Sequence, residues 1–504
     1  MFKGKFVFPV FASFLILTAF AGVSAAKTIY VPDDYEKIQW AVDSASDGDT
    51  IIVRDGTYYE NVLVNKMLTI RSENGPANCI VDGGGSGNVI TLNADGITIE
   101  GFTMRNSGSY DAGIKVVSNA NKIAYNSISN NYYGIHLYYS SNNTIANNTA
   151  SNNGDGIYLV SSSNNIIENN TASNNDDYGI YLYKSSSNNI ANNTVSDNDD
   201  GIYLVSSSNN IIANNTVSNN DNGIGLVSSS SSNNTIANNT VSSNSYYGIY
   251  LDSSSNSIAN NIVSNNKYGI YLYYSSNSIA NNIASNNDEG IYLEYSSNNV
   301  MANNTVSNNW RGIHLYYSSN NIIANNTVSN NYYGIYLYWY SNSNIIYLNN
   351  FIDNTYQVYS YYSTNIWNST EKITYTYNGS QYTNYLGNYW SDYTGSDADR
   401  DGIGDTPYSI DSDKDNYPLM ERFENYFVLP THYGVYVCVP SCAPEIISAF
   451  PGSNISFVLK VKNIGTEEDT VLLNVTDELD WDFEYPEKIE LAPGEEKYFF
   501  LNFT

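Results

Sequence analysis

Apolar residues in this chain come in short blocks that recur about every 22 residues. One block reads Gly-Ile, any residue, Leu, and its glycine recurs at intervals of 21 to 25 residues. An isolated Ile and then a Val or Ala follow in each repeat, as in Ile145 and Ala150. β-branched residues dominate and no block follows the 3.6-residue period of a helix, so each repeat is predicted to form three short strands. The glycines are Gly134, Gly156, Gly179, Gly201, Gly223, Gly248, Gly269, Gly290, Gly312 and Gly334, with Gly113 as a looser first copy.

One such repeat cannot bury its apolar residues alone, but stacked repeats can. Equivalent strands would pair in parallel about 4.8 Å apart along one axis. Asparagines such as Asn148 and Asn153 separate the blocks, where they tolerate left-handed turns and can bond the next coil through their amides. A leucine-rich repeat would need an L-x-x-L-x-L frame, which is absent. We therefore predict an all-β chain with a right-handed parallel β-helix of about 22 residues per coil.

The sequence before the repeats predicts a cap. Residues 35–45 read as a short amphipathic helix that could cover the open N-terminal end of the apolar column. Its apolar face comprises Ile38, Ala41, Val42 and Ala45.

The domain organisation follows from these patterns. We assign residues 27–110 to the cap and the first coils, residues 111–390 to the regular coils and residues 391–425 to an acidic loop segment. Residues 430–504 place Pro-Gly and Asn-x-Gly turns beside alternating strands, which predicts an Ig-like β-sandwich.

The first 25 residues are typical of a secretory signal peptide. Lys3 and Lys5 precede a mostly apolar run over residues 6–21, and small residues follow up to Ala25. An uncleaved membrane anchor is the alternative, although the run is shorter than the ~18 residues that a span needs. No second run of that length follows. The mature chain is therefore expected to be extracellular or at the cell surface, without a membrane span.

The net charge argues against one broad class of partner. Lys and Arg number 21 against 50 Asp and Glu, which gives a formal net charge of −29, and no basic stripe occurs in the sequence. An acidic surface repels phosphate backbones, so nucleic acid is not expected as a partner. Charged residues make up only 14% of the chain, so neutral Asn, Ser and Tyr are expected to supply most of its polarity.

Several stretches together resemble one known family. Residues 28–32 with the helix after them, the run DGDTIIVRDGTYYENV at 47–62, the coils and the motif NYWSDY at 388–393 resemble the NosD family. This resemblance covers residues 27–425. It implies an exported β-helix of the carbohydrate-binding and sugar-hydrolase (CASH) type in the pectin-lyase-like superfamily. Residues after 428 look similar to an extracellular β-sandwich of the CARDB type.

Copper is the cofactor that this resemblance suggests, since NosD is linked to maturation of the copper site of nitrous oxide reductase. Copper needs clustered imidazole or sulfur ligands, and the chain has three histidines, His136, His314 and His432. His136 and His314 occupy the same outward position eight coils apart, or about 38 Å. Met301 takes an inward position. Direct copper binding by this chain is therefore not expected.

A row of carboxylates could support glycoside or uronate chemistry. Asp177, Asp199 and Asp221 each lie two residues before an anchor glycine on successive coils, which could bring them within about 5 Å of one another. The motifs of polygalacturonases and pectin methylesterases are absent, however. A solvated acidic corner is the alternative, and we expect no catalytic residues here. Such a row could also hold Ca²⁺.

Outward tyrosines form a second candidate site. They lie between the inward Ile and Leu of seven repeats, so they should point outward and stack from coil to coil. Such rows can pack against sugar rings, and they can equally stabilise one another as cross-strand pairs. These candidate carbohydrate-binding residues are Tyr158, Tyr181, Tyr203, Tyr250, Tyr271, Tyr292 and Tyr336.

An acidic loop near residue 400 matches the pattern of a calcium site. A Ca²⁺ loop requires oxygen ligands at alternating positions and a glycine at the bend, here Gly402. Tyr408 stands where an EF-hand has its bidentate Glu, so later acidic residues must complete the shell. A solvated acidic loop is the alternative. The predicted ligands are Asp397, Asp399, Asp401, the Ile403 carbonyl, Asp405, Asp411 and Asp413, with Asp415 as a further candidate.

Cysteines and glycosylation motifs add smaller expectations. Cys438 and Cys442 could form a disulfide in an oxidising compartment, with a metal site including His432 or free thiols as alternatives. Cys79 reads as a buried apolar residue. Asn-x-Ser/Thr motifs recur through the repeats and could carry glycans, although turn packing also explains the Asn-Asn-Thr sequence.

The sequence as a whole favours a non-catalytic secreted or cell-surface protein, acting as a surface-layer, adhesion or glycan-contacting component. Its partners would be cell-surface glycans or other surface proteins, and Ca²⁺ would be its cofactor. A polysaccharide lyase or hydrolase of the same fold is one alternative. A NosD-like accessory factor in copper-site maturation of an exported enzyme is another. Fold alone does not choose among them, because function resides in sites.

Overall fold

A computed structural model describes residues 26–411 and 413–427 and, in the C-terminal part, residues 435–438, 455–463, 469–472, 483–484, 488–492 and 495–503. Two compact units are present, one made of residues up to 373 with 384–423, the other of residues 374–383 with those from 424 onward. The signal segment over residues 1–25 lies outside the described residues. Within them, no helix is long and apolar enough to cross a membrane.

The first unit is a solenoid of three parallel sheets with 15, 14 and 15 strands, and each regular coil contributes one strand to each sheet. Each strand pairs with its equivalent on the next coil, so that Ile157 lies beside Ile180 and Leu159 beside Leu182. The predicted stacking of three-stranded coils is confirmed.

Sheet 1 contains Thr28–Val31, Thr50–Val53, Thr69–Ser72, Thr98–Glu100, Lys122–Ala124, Thr144–Ala146, Ile166–Glu168, Asn189–Ala191, Ile211–Ala213, Thr235–Ala237, Ser257–Ala259, Ser278–Ala280, Val300–Ala302, Ile322–Ala324 and Ile345–Tyr347. Sheet 2 contains Val62–Val64, Ile90–Leu92, Ala112–Val116, Tyr133–Tyr138, Asp155–Val160, Tyr178–Tyr183, Asp200–Val205, Asn222–Val227, Tyr247–Asp252, Tyr268–Tyr273, Glu289–Glu294, Arg311–Tyr316, Tyr333–Tyr338 and Tyr356–Tyr361. Sheet 3 contains Gly56–Tyr59, Cys79–Asp82, Thr103–Arg105, Ser127–Ser129, Thr149–Ser151, Thr171–Ser173, Thr194–Ser196, Thr216–Ser218, Thr240–Ser242, Ile262–Ser264, Ile283–Ser285, Thr305–Ser307, Thr327–Ser329, Asn350–Ile352 and Tyr389–Trp390.

The apolar residues of the repeat form one continuous core inside the solenoid. Ile145, Ala150, Ile157 and Leu159 are fully buried, as are their equivalents on the neighbouring coils. The anchor glycine is needed because successive coils approach closely at this point. A Cβ added to Gly156 would lie 2.5 Å from the carbonyl oxygen of the next anchor glycine. Cys79 is a free, fully buried thiol in the same core, as predicted.

Buried asparagines link the coils through three ladders. In most steps an asparagine donates both its main-chain N–H and its Nδ2 to Oδ1 of the equivalent residue on the next coil. Asn148 reaches Asn170 in this way at 2.9 and 3.1 Å. Because these amides are paired, they can be buried without losing their hydrogen bonds. The ladders run from Asn121 to Asn365, from Asn126 to Asn388 and from Asn131 to Asn354.

A helix covers the N-terminal end of the solenoid, as predicted. Helix α1 spans Ile38–Ser44 and buries its apolar face. The Glu60 carboxylate accepts the main-chain N–H groups of Ile38 and Gln39 at 3.0 and 3.1 Å. The Gln39 side chain pairs with both main-chain groups of Leu63, in the first strand of sheet 2. The helix therefore occupies an edge at which another chain could otherwise pair.

Alternating aspartates bind the C-terminal edge of the solenoid. Asp411 Oδ2 accepts the main-chain N–H of Ser360 at 2.7 Å. Asp413 Oδ2 accepts the main-chain N–H of Asn365, the last asparagine of its ladder, at 2.8 Å. Carboxylates only accept hydrogen bonds, so they suit an edge at which the ladders present donors.

Asp415 ends a second ladder in the same manner. This buried carboxylate accepts the main-chain N–H of Asn388 at 2.8 Å, Nε1–H of Trp390 at 3.1 Å and the main-chain N–H of Tyr417 at 2.9 Å. Part of the segment assigned from sequence to a calcium-type loop therefore closes the solenoid. Short strands Tyr408–Ile410 and Asp413–Asp415 pair within it.

The remaining described elements are small. Strands Ile373–Tyr377 and Ser380–Asn384 pair, and a 3₁₀ helix spans Phe423–Tyr426. In the C-terminal part, an antiparallel sheet has the order Val435–Cys438, Ile455–Asn463, Glu496–Phe503, Phe483–Glu484, and Asp469–Leu472 pairs with Lys488–Leu491. The antiparallel β structure agrees with the expectation for this region. Its likeness to a CARDB-type module stays a prediction.

Candidate functional site

Sheet 2 presents three outward columns of side chains, which we call the tyrosine face. Each six-residue strand points its first, fourth and sixth residues outward, while Ile and Leu at the third and fifth positions are buried. The fourth residues form the middle column. The middle column runs Lys115, His136, Tyr158, Tyr181, Tyr203, Gly225, Tyr250, Tyr271, Tyr292, His314, Tyr336 and Tyr359.

The seven tyrosines predicted from the sequence all lie in this middle column and point outward. Their rings stack along the solenoid axis, with centroids 5.0 Å apart for Tyr158 and Tyr181 and 5.0 Å apart for Tyr271 and Tyr292. Gly225 interrupts the row, and the ring of Tyr203 covers the space that a Cβ there would occupy. The predicted outward orientation and stacking are confirmed.

Stacking determines which part of each ring a ligand could reach. Tyr181 is flanked by Tyr158 in its own column and by Tyr178 of the first column, whose centroid lies 4.3 Å away. Ring faces are therefore covered by other rings, which leaves edges and hydroxyl groups toward solvent. Burial raises the pKa of Tyr158 and Tyr181 to about 12, so these hydroxyls are protonated and can donate hydrogen bonds at neutral pH.

A buried charged cluster lies within the tyrosine face. Glu289 contacts Arg311 through Oε1 and His314 Nδ1 through Oε2, the latter at 3.2 Å. His314 stacks on Tyr292 with centroids 4.3 Å apart, and the Arg311 guanidinium lies 4.4 Å from the ring centre of Tyr336. Glu289 and His314 are both buried.

The cluster fixes the state of its histidine. Burial lowers the pKa of His314 despite the neighbouring Glu289, so the ring is neutral. Since a carboxylate can only accept, Nδ1 carries the proton and Nε2 bears the lone pair. That Nε2 is buried and has no hydrogen-bond partner among the described residues. A base of this kind has no direct route to a substrate in the structure.

Basic residues also interrupt the tyrosines of the middle column at its N-terminal end, where Lys115 contacts His136, the other histidine of this column. Lys115 Nζ lies 2.8 Å from Nδ1 of His136. Burial lowers the pKa of Lys115 to about 8 and that of His136 to about 3. His136 therefore accepts a hydrogen bond from the lysine, and eight coils separate it from His314. Met301 lies in the core, as predicted, and His432 lies outside the described residues.

The sequence pattern missed the charged partners of the two histidines. Glu289 and Arg311 lie in the first column, Lys115 in the middle one, and Glu289 is 25 residues from His314 along the chain. The repeat spacing could have revealed this cluster, because the register of adjacent sheet 2 strands places Glu289 beside Arg311 and Tyr292 beside His314.

The carboxylates proposed from sequence as an acidic row are solvent-exposed. Asp177, Asp199 and Asp221 occupy the same corner of successive coils. Burial and the neighbouring carboxylates raise the pKa of Asp199. Among the described residues, three metal-binding side chains converge within 4.8 Å only in the loop at Asp397, so this row does not form such a cluster.

The loop near residue 400 brings three of its predicted ligands together. Ligand oxygens of Asp397, Asp399 and Asp401 lie within 4.8 Å of one another. Gly402 has a φ of 90°, as a bend there requires. The Asp397 carboxylate already accepts the main-chain N–H of Gly402 at 2.9 Å. Burial, more than the neighbouring carboxylates, raises the pKa of Asp401.

The other predicted ligands lie at different positions. Asp405 Oδ2 accepts the main-chain N–H of Ala398 at 2.9 Å, and Ile403 pairs with Leu419 through an antiparallel bridge. Asp411 and Asp413 bind the last coils of the solenoid, as described above. The predicted disulfide is not described, because Cys442 lies outside the described residues and Cys438 is described by its backbone alone.

Comparisons with known proteins agree with this fold. The family model described as a right-handed β-helix region matches residues 44–165 and 112–259. The solenoid is a right-handed β-helix. A second model, described as periplasmic copper-binding protein (NosD), matches residues 234–395 of the β-helix, in line with the resemblance seen in the sequence.

One curated relative is a cell surface glycoprotein of Methanothermus fervidus, 42% identical over 89 residues. The match covers 17% of this chain and 14% of that relative. This name and the NosD description both denote proteins outside the cytoplasm.

Solved structures with a similar β-helix are more distant. The A-module of mannuronan C-5 epimerase AlgE4 from Azotobacter vinelandii is 15% identical with a TM-score of 0.43, over 67% of this chain and 99% of that one. The Dettilon tailspike protein is 12% identical with a TM-score of 0.43, over 94% of each chain. Neither similarity bears on activity.

Proposed function

We propose that this chain is an exported, non-catalytic surface protein whose tyrosine face contacts glycans or other proteins at the cell surface. The proposal agrees with two of the names that the comparisons return, the periplasmic NosD family and a cell surface glycoprotein, both of proteins outside the cytoplasm. It rests mainly on one observation, the uneven distribution of tyrosine among the three sheets.

Sheets 1 and 3 act as internal controls for what the coil itself requires. Their described strands between residues 122 and 329 contain no tyrosine, and Thr, Ser, Ala and Ile fill most of the outward positions. Nine of the ten sheet 2 strands between residues 133 and 338 contain at least one tyrosine. Since sheets 1 and 3 pair in regular register without tyrosine, the coil does not require tyrosine, and its concentration on one face favours a contact surface.

The geometry also suggests the kind of contact. Covered ring faces leave little room for a sugar ring to stack, while ring edges and hydroxyls recur on most coils, with successive coils about 4.8 Å apart. A surface of this kind suits an extended, hydroxyl-rich polymer lying across several coils. Hydrogen bonds to phenol groups would then carry more of the affinity than aromatic stacking.

Phenylalanine substitutions test this mode of contact, because they keep the stack and remove only the hydroxyls. The triple variant Tyr158→Phe, Tyr181→Phe and Tyr203→Phe should bind released surface glycans at least tenfold more weakly, a loss of about 1.4 kcal/mol. Its melting temperature should stay close to that of the parent. Tyr125→Phe, an exposed tyrosine outside the face, is the matched control. Unchanged binding by the triple variant would remove the hydroxyl face from the proposal.

A polysaccharide-acting enzyme is the second candidate, and the His314 cluster is the observation that favours it. A neutral histidine oriented by Glu289 beside Arg311 has the parts of a general base next to a cation. Because Nε2 of His314 is buried, the side chains near Tyr336 would have to move apart before this atom could reach a substrate. Turnover of polyuronates by the parent, lost in His314→Gln but kept in the Asp177→Asn, Asp199→Asn and Asp221→Asn triple variant, would establish this enzyme and refute the non-catalytic proposal.

The proposal includes Ca²⁺ as a ligand of the loop at Asp397 and excludes copper as a resident ion. A NosD-like role in copper-site maturation would then depend on contacts with a partner protein. Metal titration distinguishes these cases, since tight binding of one copper ion per chain would contradict the proposal and support the accessory role.

A further inference from the structure

The corner between sheets 1 and 3 carries a repeated pair of asparagines with unequal roles. In the pair Asn147 and Asn148, the first residue is exposed and has a φ of 57°. The second is buried and uses its amide in a ladder. Among the described residues, the Asn147 side chain has no hydrogen-bond partner. One asparagine of each pair is therefore chemically available.

The available asparagine is also the one that begins an Asn-x-Thr motif. Thr149 follows as the first residue of a sheet 3 strand, and its side chain is exposed as well. The motif recurs at the same corner on five successive coils and again on two later ones. The acceptor asparagines are Asn147, Asn169, Asn192, Asn214, Asn238, Asn303 and Asn325.

The other corners of the regular coils rarely carry this motif. Asparagine pairs at the corner between sheets 3 and 2, such as Asn152 and Asn153, are not followed by Ser or Thr. At the corner between sheets 2 and 1 the motif occurs at Asn142 and Asn233. The motifs are therefore concentrated along one edge of the β-helix.

Two coils show that the fold itself does not require the threonine. At Asn260 and Asn281 the equivalent third residues are Ile262 and Ile283, which are 46% and 41% exposed. Their strands pair with both neighbours in the usual register. Isoleucine and threonine are both β-branched and satisfy the strand equally, so turn packing explains the asparagines but leaves the threonine unexplained.

We propose that this corner is an N-glycosylated edge, with glycans on the first asparagine of each pair that begins an Asn-x-Thr motif. These are Asn147, Asn169, Asn192, Asn214, Asn238, Asn303 and Asn325. In each transfer, asparagine Nδ2 loses a proton and bonds to the anomeric carbon of a lipid-linked oligosaccharide, whose bond to phosphate breaks. The exporting cell's transferase supplies the catalysis. The inference rests on the export proposed above. Glycans on this edge leave the tyrosine face uncovered.

Paired substitutions taken from the chain itself test the proposal. The full chain, secreted from a host that N-glycosylates exported proteins, is mapped by mass spectrometry of its peptides. Thr149→Ile copies the two coils that carry isoleucine at this position and should remove the glycan at Asn147 alone. Ile262→Thr copies the other coils and should add a glycan at Asn260. Melting temperatures show that both variants fold.

The outcomes separate this inference from the proposal of export. A cleaved signal peptide with every corner asparagine unmodified would overturn the glycosylated edge and leave export standing. Glycans found mainly at Asn142, Asn233 or Asn368 would also contradict it. An uncleaved chain retained in the cell would instead refute export itself, and with it the inference.

Discussion

Adjacent residues of one sheet 2 strand perform different tasks. Ile249 points into the core and is fully buried, while Tyr250 points outward and stacks on Tyr247 and Tyr271 with centroids 4.8 and 5.5 Å away. Ile249→Asp would bury an unpaired charge between coils and should lower the free energy of unfolding by several kcal/mol. Tyr250→Ser removes outward ring contacts with Tyr247 in its own strand and with Tyr271 on the next coil, and should cost about 1 kcal/mol. Equal losses in denaturant melts would contradict the assignment of the two columns.

One buried carboxylate of the tyrosine face should make stability depend on pH. Burial, reinforced by the charge of Asp177, raises the pKa of Asp155 from 3.8 to about 7. The folded chain therefore holds this proton more tightly than the unfolded chain. The resulting stabilisation is complete below about pH 4 and is lost as the pH rises through 7.

Asp155→Asn tests this dependence, and Asn222 shows that asparagine fits this outward column. The variant should melt at a higher temperature than the parent at pH 8, and the difference should shrink by pH 5. A difference that does not change with pH would mean that Asp155 is ionised throughout.

Sequence reasoning succeeds for single residues wherever the repeat fixes the environment. The orientation of Tyr158 follows from its place between an inward Ile and Leu, which needs no knowledge of other coils. The contact between Glu289 and His314 depends on rotamers and on register across coils, and the partial burial of the tyrosines depends on how neighbouring rings tilt. A periodic pattern specifies inside and outside, but it does not specify which charged groups meet.

Among the larger elements, the segment from Asp411 to Asp415 at the C-terminal edge of the solenoid, here called the C-terminal cap, has a sequence motif that fits two different structures. The alternating aspartates from Asp411 to Asp415 look like calcium ligands in sequence, yet they bind the ends of coils. Asp415→Ala would leave several buried donors without an acceptor, so it should lower the free energy of unfolding by about 3 kcal/mol or more. This loss should be the same with Ca²⁺ and with chelator. A loss that appears only when Ca²⁺ is present would place Asp415 in the metal shell.

The loop at Asp397 should respond to calcium in the opposite manner. Ca²⁺ should relieve the repulsion among its carboxylates and raise the melting temperature. Asp399→Ala should abolish that rise while changing the chelated protein little, and Asp176→Ala, an exposed aspartate elsewhere, should leave the rise intact. Calorimetry that detects no Ca²⁺ binding to the parent would make the loop a connection without a cation.

The two caps also differ in how far the sequence could predict them. Helix α1 follows from the local spacing of Ile38, Ala41 and Val42, so its existence and buried face are confirmed. The C-terminal cap joins residues separated by 25 to 51 positions. Such contacts depend on how the chain folds back onto the last coils after residue 390, and no local sequence pattern predicts this.

At the scale of the whole molecule, the solenoid should tolerate changes of one complete coil. Deleting the 22 residues 190–211 joins equivalent positions, so every ladder and column can re-form with one member fewer. The variant should fold cooperatively with a β-rich circular dichroism spectrum. Deleting residues 190–200 alone joins non-equivalent positions and should prevent folding. Equal behaviour of the two deletions would contradict a register fixed by the coil.

The regular coils of the first unit were predictable because the same sequence pattern recurs in each of them. Residues 430–504 offer no repeat, so turns and alternation predict strands there but not their partners. The described pairing of Ile455–Asn463 with Glu496–Phe503 spans a long intervening segment.

The asparagine ladders give the solenoid a direction of assembly. Each coil offers donors to the coil that follows it in sequence, so the growing end of a chain leaving the ribosome or the export channel always displays unpaired amides. The next 22 or so residues to emerge bring the matching oxygens. Zippering can thus proceed at the pace of synthesis, amino end first. The aspartates of the C-terminal cap are synthesised after all the coils. Their carboxylates accept the hydrogen bonds that the last coil donates and offer no donors to a further coil, so the stacking of coils ends there.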